Sequence, residues 1–111
     1  MLTLPSRVSV SLAIRRVCDS AGHCSDADGE ATFRMTPMQL EAGGRGSYTL
    51  SYGTTETEMF AQSEIGPFYW RLEGESNSLM PSSESEWLWH QLILDGTPSA
   101  RIRFLECSFR Q

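Results

Sequence analysis

Val8-Ser9-Val10-Ser11-Leu12-Ala13-Ile14 near the start of the chain and Arg101-Ile102-Arg103-Phe104 near its end carry apolar side chains on every second position. A period of two is the signature of a strand with one face on a core and the other in water. In the first stretch Val8, Val10, Leu12 and Ile14 point one way, and the phase slips at Arg15-Arg16-Val17, as a β-bulge would make it do. The same pattern recurs through the chain. Ala31, Phe33 and Met35 alternate until Pro37. Tyr48, Leu50 and Tyr52 share one face of 47–52. Gly53-Thr54 turns the chain into 55–62, where the threonines and Met59 oppose Glu56, Glu58 and Phe60. Phe68, Trp70 and Leu72 follow the turn at Glu64-Ile65-Gly66-Pro67, and Trp87 to Leu94 is apolar on both faces. In the last strand, 100–109, a second slip is expected between Phe104 and Leu105.

Residues 18–29 read as a loop, and so do 73–86, where Gly, Ser, Asn, Pro and Glu surround Leu79-Met80. No helix is predicted; the best window, 35–42, is short and contains Pro37. Seven strands are clear and an eighth would have to lie in 73–86. Consecutive strands with turn-length connections imply an antiparallel meander. Slips near both ends of the chain imply a curved sheet that closes by pairing its first strand with its last, which removes two open edges. The expectation is an all-β, antiparallel, up-and-down barrel forming one domain over 1–111.

Composition narrows the function classes. With 111 residues and 40% hydrophobic content, the chain suits a single globular domain with its own core. No apolar run reaches membrane-span length, and Pro5, Ser6 and Arg7 interrupt the N-terminal leucines where a signal peptide would continue. A cytoplasmic location is expected, with no membrane partner. All nine cations are arginine, and the net charge is −5. Residues 51–100 hold eight carboxylates against Arg71 alone, which argues against a nucleic-acid backbone as partner. Three cysteines with no export signal favour free thiols, and Cys107, in phase with Leu105 and Phe109, reads as a small buried residue.

Gly46-Ser47-Tyr48-Thr49-Leu50-Ser51-Tyr52 resembles the G-x-Y-x-L-x-Y strand of the YwiB-like family of small bacterial calycin-like (lipocalin-like) β-barrels. Thr55-Glu56-Thr57-Glu58-Met59, Arg71-Leu72-Glu73-Gly74 and Ala100-Arg101-Ile102-Arg103-Phe104 resemble, in order, its threonine-rich strand, its arginine-then-glycine turn and its final strand. The chain departs from the family before the last two strands, where a tyrosine- and glycine-containing hairpin is compressed into 80–86. The resemblance implies a calycin-like barrel of seven or eight strands, with a cavity as one of its options. It transfers no catalytic residue, because the family's activity is uncharacterised.

Catalytic motifs are absent: the chain has no G-x-S-x-G, no H-E-x-x-H and no phosphate-binding glycine loop. Cys18, His23 and Cys24 share one loop with Asp19, Asp26 and Asp28. The C-x5-C spacing and the missing fourth ligand favour a polar hairpin over zinc, with a disulfide as the remaining alternative. The glutamates 56, 58, 64, 73 and 75 read as a wet strand face rather than a glycosidase-like pair. No catalytic residue, metal or cofactor is therefore assigned.

Two readings remain. In the first, a small apolar or anionic molecule sits in the barrel or its mouth. Tyr48, Tyr52, Trp70, Trp87 and Trp89 would supply an aromatic surface, with Arg16, Arg71 and His90 as its polar handles. In the second, the Trp87–Leu94 strand turns one apolar face outward, and a second copy or another protein covers it. Either way the protein is more naturally a binder than an enzyme.

Overall fold

The computed structural model describes residues 8–63 and 65–107; the side chains of Val8 and Cys107 lie outside that description. Among the described residues nine strands run in chain order: β1 (Val8–Asp19), β2 (Cys24–Asp26), β3 (Glu30–Leu40), β4 (Gly46–Tyr52), β5 (Thr55–Ala61), β6 (Phe68–Leu72), β7 (Glu75–Pro81), β8 (Glu86–Ile93) and β9 (Ser99–Cys107). From β3 to β9 each strand pairs antiparallel with the next, and β1 pairs with both β3 and β9. The sheet is thus a closed antiparallel barrel of eight strands, with β2 as an added ninth. Closure satisfies the edge groups that an open meander would leave exposed.

The expected slip in the first strand is present. The register with β9 shifts between Ile14 and Arg16, so Arg15 is the extra residue and both arginines face outward. The expected slip in the last strand is not. β9 pairs with β8 without interruption from Glu86↔Glu106 to Ile93↔Ser99. Leu105 and Arg103 point inward, while Phe104 points outward and is exposed. The hydrophobic phase changes there because an arginine occupies an interior position, and the backbone keeps its alternation. A second bulge lies instead in β3, between Pro37 and Gln39. It carries the Gln39 carbonyl against Gly46, where any Cβ would overlap that oxygen. Only glycine fits.

Two of the expected loops contain strands. Residues 75–81 form β7, in register with β6 (Phe68↔Leu79) and β8 (Leu79↔Trp89). Within 18–29, β2 pairs with the end of β1 beyond the point where β3 stops. That pairing sets Cys18 directly opposite Cys24, with Cα atoms 4.0 Å apart, and the two are joined in a disulfide. The free-thiol expectation for this pair is therefore corrected. A cross-strand register brings the Cβ atoms together, which the spacing of six residues did not reveal. The expectations for Cys107 as a core residue, for 108–109 and for Glu64 fall outside the described residues.

The core is the barrel interior. Leu12, Phe33, Leu50, Met59, Trp70, Leu79 and Leu105 are essentially inaccessible. Each is the inward member of an alternating pair, as expected for β1 and β3–β6. β8 follows the same rule: Trp87 and Trp89 face in, while Leu88, Leu92 and Leu94 face out.

Candidate functional site

An up-and-down barrel has two ends. One carries the turns Gly53-Thr54 and Glu73-Gly74, the 94–98 loop and the β1–β2–β3 connection; the other carries 41–45, 62–67 and 82–85. The interior is built differently at each.

Tyr48, Phe68 and Trp87 pack near the second end. Phe68 stacks on Trp87 at 6.2 Å between centroids, and Tyr48 meets Phe68 edge-on at 6.4 Å. Tyr48 and Trp87 thus serve packing at that end. Between the ends, Phe33 contacts Tyr52, Trp70 and Trp89 at 5.4, 6.1 and 5.3 Å. Such tilted and edge-on pairs are the geometries that aromatic quadrupoles favour. Side chains rather than ligand space occupy this level, one of the two outcomes open to a barrel of about eight strands.

The first end is polar above that aromatic floor. The Trp70 Nε1–H donates to the Tyr52 hydroxyl at 3.1 Å, and the Trp89 Nε1–H donates to Asn77 Oδ1 at 2.9 Å. The Asn77 amide in turn donates to Glu75 Oε2 at 2.9 Å. Arg103 lies over Trp89, its guanidinium carbon 4.4 Å from the ring centroid, and donates from Nη1 to Gln91 Oε1 at 3.0 Å. These partners come from neighbouring strands: Trp70↔Asn77↔Gln91 is one row across β6, β7 and β8, and Trp89↔Arg103 is the next across β8 and β9. Among the described residues no buried side-chain polar atom lacks a partner.

Electrostatics distinguish this mouth from the rest of the surface. Burial, and then the neighbouring Glu75 carboxylate, push the Tyr52 hydroxyl above its usual range. Burial, and then the like charge of Arg101, disfavour the Arg103 cation. Among the described residues no carboxylate lies within 4 Å of Arg103; the ion pairs are Arg15–Glu106 and His23–Asp19, both on the exposed surface.

Of the residues predicted to form a site, Tyr52, Trp70 and Trp89 meet at this mouth. Arg71 and His90 are exposed on the outer face, His90 opposite Ser78 and Ile102, so neither is a handle inside the barrel. Arg16 also faces out, beside a groove of ≈ 470 Å³ that it shares with Arg15, Glu86, Phe104 and Glu106. Each correction has one cause. These three residues are in phase with outward positions, as β1 after its bulge, β6 and β8 dictate. Glu56, Glu58 and Glu73 are likewise exposed, which leaves Glu75 as the inward-facing member of that group among the described residues. No group of three or more metal-ligating side chains converges among the described residues. The polar residues that the sequence reading missed, Asn77, Gln91 and Arg103, each alternate in phase with a buried neighbour: Leu79, Trp89 and Leu105.

The fold and the mouth define a small closed β-barrel with a filled interior and one polar, aromatic-floored end. No family model matches the chain. No curated protein and no solved structure gives a significant match either.

Proposed function

We propose that this protein is a non-enzymatic binding protein of calycin-like type that takes one small molecule at the Tyr52–Arg103 end of its barrel. The observation that carries this reading is the Arg103 guanidinium, held at the mouth over Trp89 with Gln91 as its single acceptor among the described residues. Arginine has five N–H donors, so most of its hydrogen-bonding capacity points at whatever fills the mouth. The packed aromatics below set the depth: Trp70 and Trp89 are buried, so the ligand stays at the rim beside Tyr52 and Arg103 and does not thread the barrel. The YwiB-like resemblance belongs to the same proposal, since a calycin-like barrel is its shared feature. Native mass spectrometry of freshly purified protein tests the reading, together with the indole N–H signals of Trp70 and Trp89. A retained small-molecule mass, with those two signals shifting when it is removed, is the expected result. An unliganded mass, with no compound of a fragment set moving either signal, would defeat it.

A second reading has its own observation. Met80, Leu88 and Phe104 stand directly opposite one another on β7, β8 and β9, all facing outward, with Met80 42% and Phe104 38% exposed. A contiguous apolar row of this kind suits a protein contact, and a homodimer is its simplest form. Light scattering that reports a monomer at millimolar concentration, together with a pull-down from native lysate that recovers no partner, removes this reading.

The cytoplasmic location is proposed with the Cys18–Cys24 disulfide in view. Reducing compartments keep such pairs open. Thiol alkylation in intact cells, before lysis, separates the two: labelled cysteines support the cytoplasm, and protected ones oppose it.

A further inference from the structure

We propose that the ligand of the mouth is a small carboxylate, gripped by the free edge of the Arg103 guanidinium with Arg101 as a second cation. This rests on the reading of the mouth as a binding site and adds the chemical class.

The guanidinium of Arg103 is oriented before any ligand arrives. Contact with the Trp89 ring and the bond to Gln91 hold it at two points. A fork held in this way loses little freedom on meeting a carboxylate, whose two oxygens match its two parallel N–H vectors. Arg101 stands two residues away on the same phase of β9, exposed at its end, and its charge disfavours the Arg103 cation. An anion between them relieves that repulsion. The Tyr52 oxygen already accepts from Trp70, which leaves its O–H free to donate to the same anion.

Glu75 opposes an anion, and its placement limits the effect. One of its oxygens accepts from Asn77, so the carboxylate is tied toward β7. Its charge still acts on Arg103 and Tyr52. Asp19, opposite Arg101 on β1, is the other carboxylate on that phase; its Oδ1 accepts from the Ala21 and His23 N–H groups, which turns it toward its own loop. Removing the Glu75 charge strengthens the hold on an anionic ligand.

The experiment compares benzoate with benzamide, its neutral isostere, by following the Trp70 and Trp89 indole N–H signals. Titrations reach about 10 mM, where a site of millimolar affinity is saturated. In the unaltered protein, benzoate is expected to bind at least about tenfold more tightly than benzamide, as a charge-assisted bidentate pair requires. Arg103→Gln should abolish that preference, Arg103→Lys should keep only part of it, and Glu75→Gln should tighten benzoate several-fold. Retained signal dispersion shows that each variant folds. Equal affinities for the two compounds, or an Arg103→Gln protein that still prefers benzoate, overturn the carboxylate assignment and leave the mouth as a site. If neither compound moves either indole signal, the mouth reading falls with it.

Discussion

Asn77 is the polar residue on which the barrel interior most depends, and truncating it tests the account of the mouth quantitatively. It is 3% exposed, accepts the Trp89 indole N–H and donates to Glu75. Asn77→Ala leaves a buried indole donor with no acceptor, a cost of about 1–3 kcal/mol. It also removes a hydrogen bond to a carboxylate that is partly solvated, worth about 1 kcal/mol. The expected destabilisation is therefore about 2–4 kcal/mol. In a domain of about 100 residues, each kcal/mol lowers the melting temperature by roughly 4–8 °C. Trp89→Phe removes the donor instead, at an added packing cost, so the informative quantity is the coupling in a double-mutant cycle. With both partners gone no group is stranded, and the coupling should be about 1–2 kcal/mol. Urea unfolding followed by far-ultraviolet circular dichroism measures it without relying on the altered tryptophan. The midpoint should fall with an unchanged slope. A coupling below about 0.5 kcal/mol, within the range of independent sites, would refute the claim that Asn77 is held to satisfy Trp89.

Leu79, fully buried on β7, should cost about 2–5 kcal/mol when replaced by alanine, a range typical of core leucines and far from that of a loop residue; chemical denaturation decides. The Cys18–Cys24 bond closes only a short loop, so opening it by a double substitution to serine should cost about 2 kcal/mol on a chain-entropy estimate. Amide exchange should speed up in β2 and leave β4–β8 protected. Tyr52 should ionise later than an ordinary tyrosine in a titration followed near 295 nm, and Glu75→Gln should bring it part of the way back, because Glu75 is one of the two influences raising it. Since its folded value is the raised one, its stabilising effect is complete below the ordinary tyrosine range. It is lost as pH climbs from there through the folded value.

Strand periodicity carried the reading where a strand has one wet face and one apolar face. β4, β5 and β6 were legible in both position and phase, and the bulge at Arg15 was visible because both arginines must reach water. β7 was illegible for a definite reason. Its inward positions near the mouth are Glu75 and Asn77, and its outward ones are Ser76 and Ser78. Neither face is apolar there, so no alternation appears, and pairing with β6 and β8 makes the strand. β9 misled for the complementary reason: Arg103 inside and Phe104 outside imitate a slip that the backbone does not make.

The same logic divides the site. Tyr52, Trp70 and Trp89 could be picked out as large aromatics in phase with a core. Arg16, Arg71 and His90 were chosen as polar breaks in apolar runs, yet they are the residues that meet solvent. Arg103, Asn77 and Gln91 earn their place from neighbours on other strands, which a linear pattern does not contain.

The sequence by itself determined an all-β meander, its turns and the inward face of most strands, because those follow from local alternation and from glycine at the turns. Only the tertiary structure decided the eighth strand, the Cys18–Cys24 pairing and the polar mouth around Arg103. Each of these depends on register between strands distant in the chain, where pairing and burial override the preferences of the residues themselves.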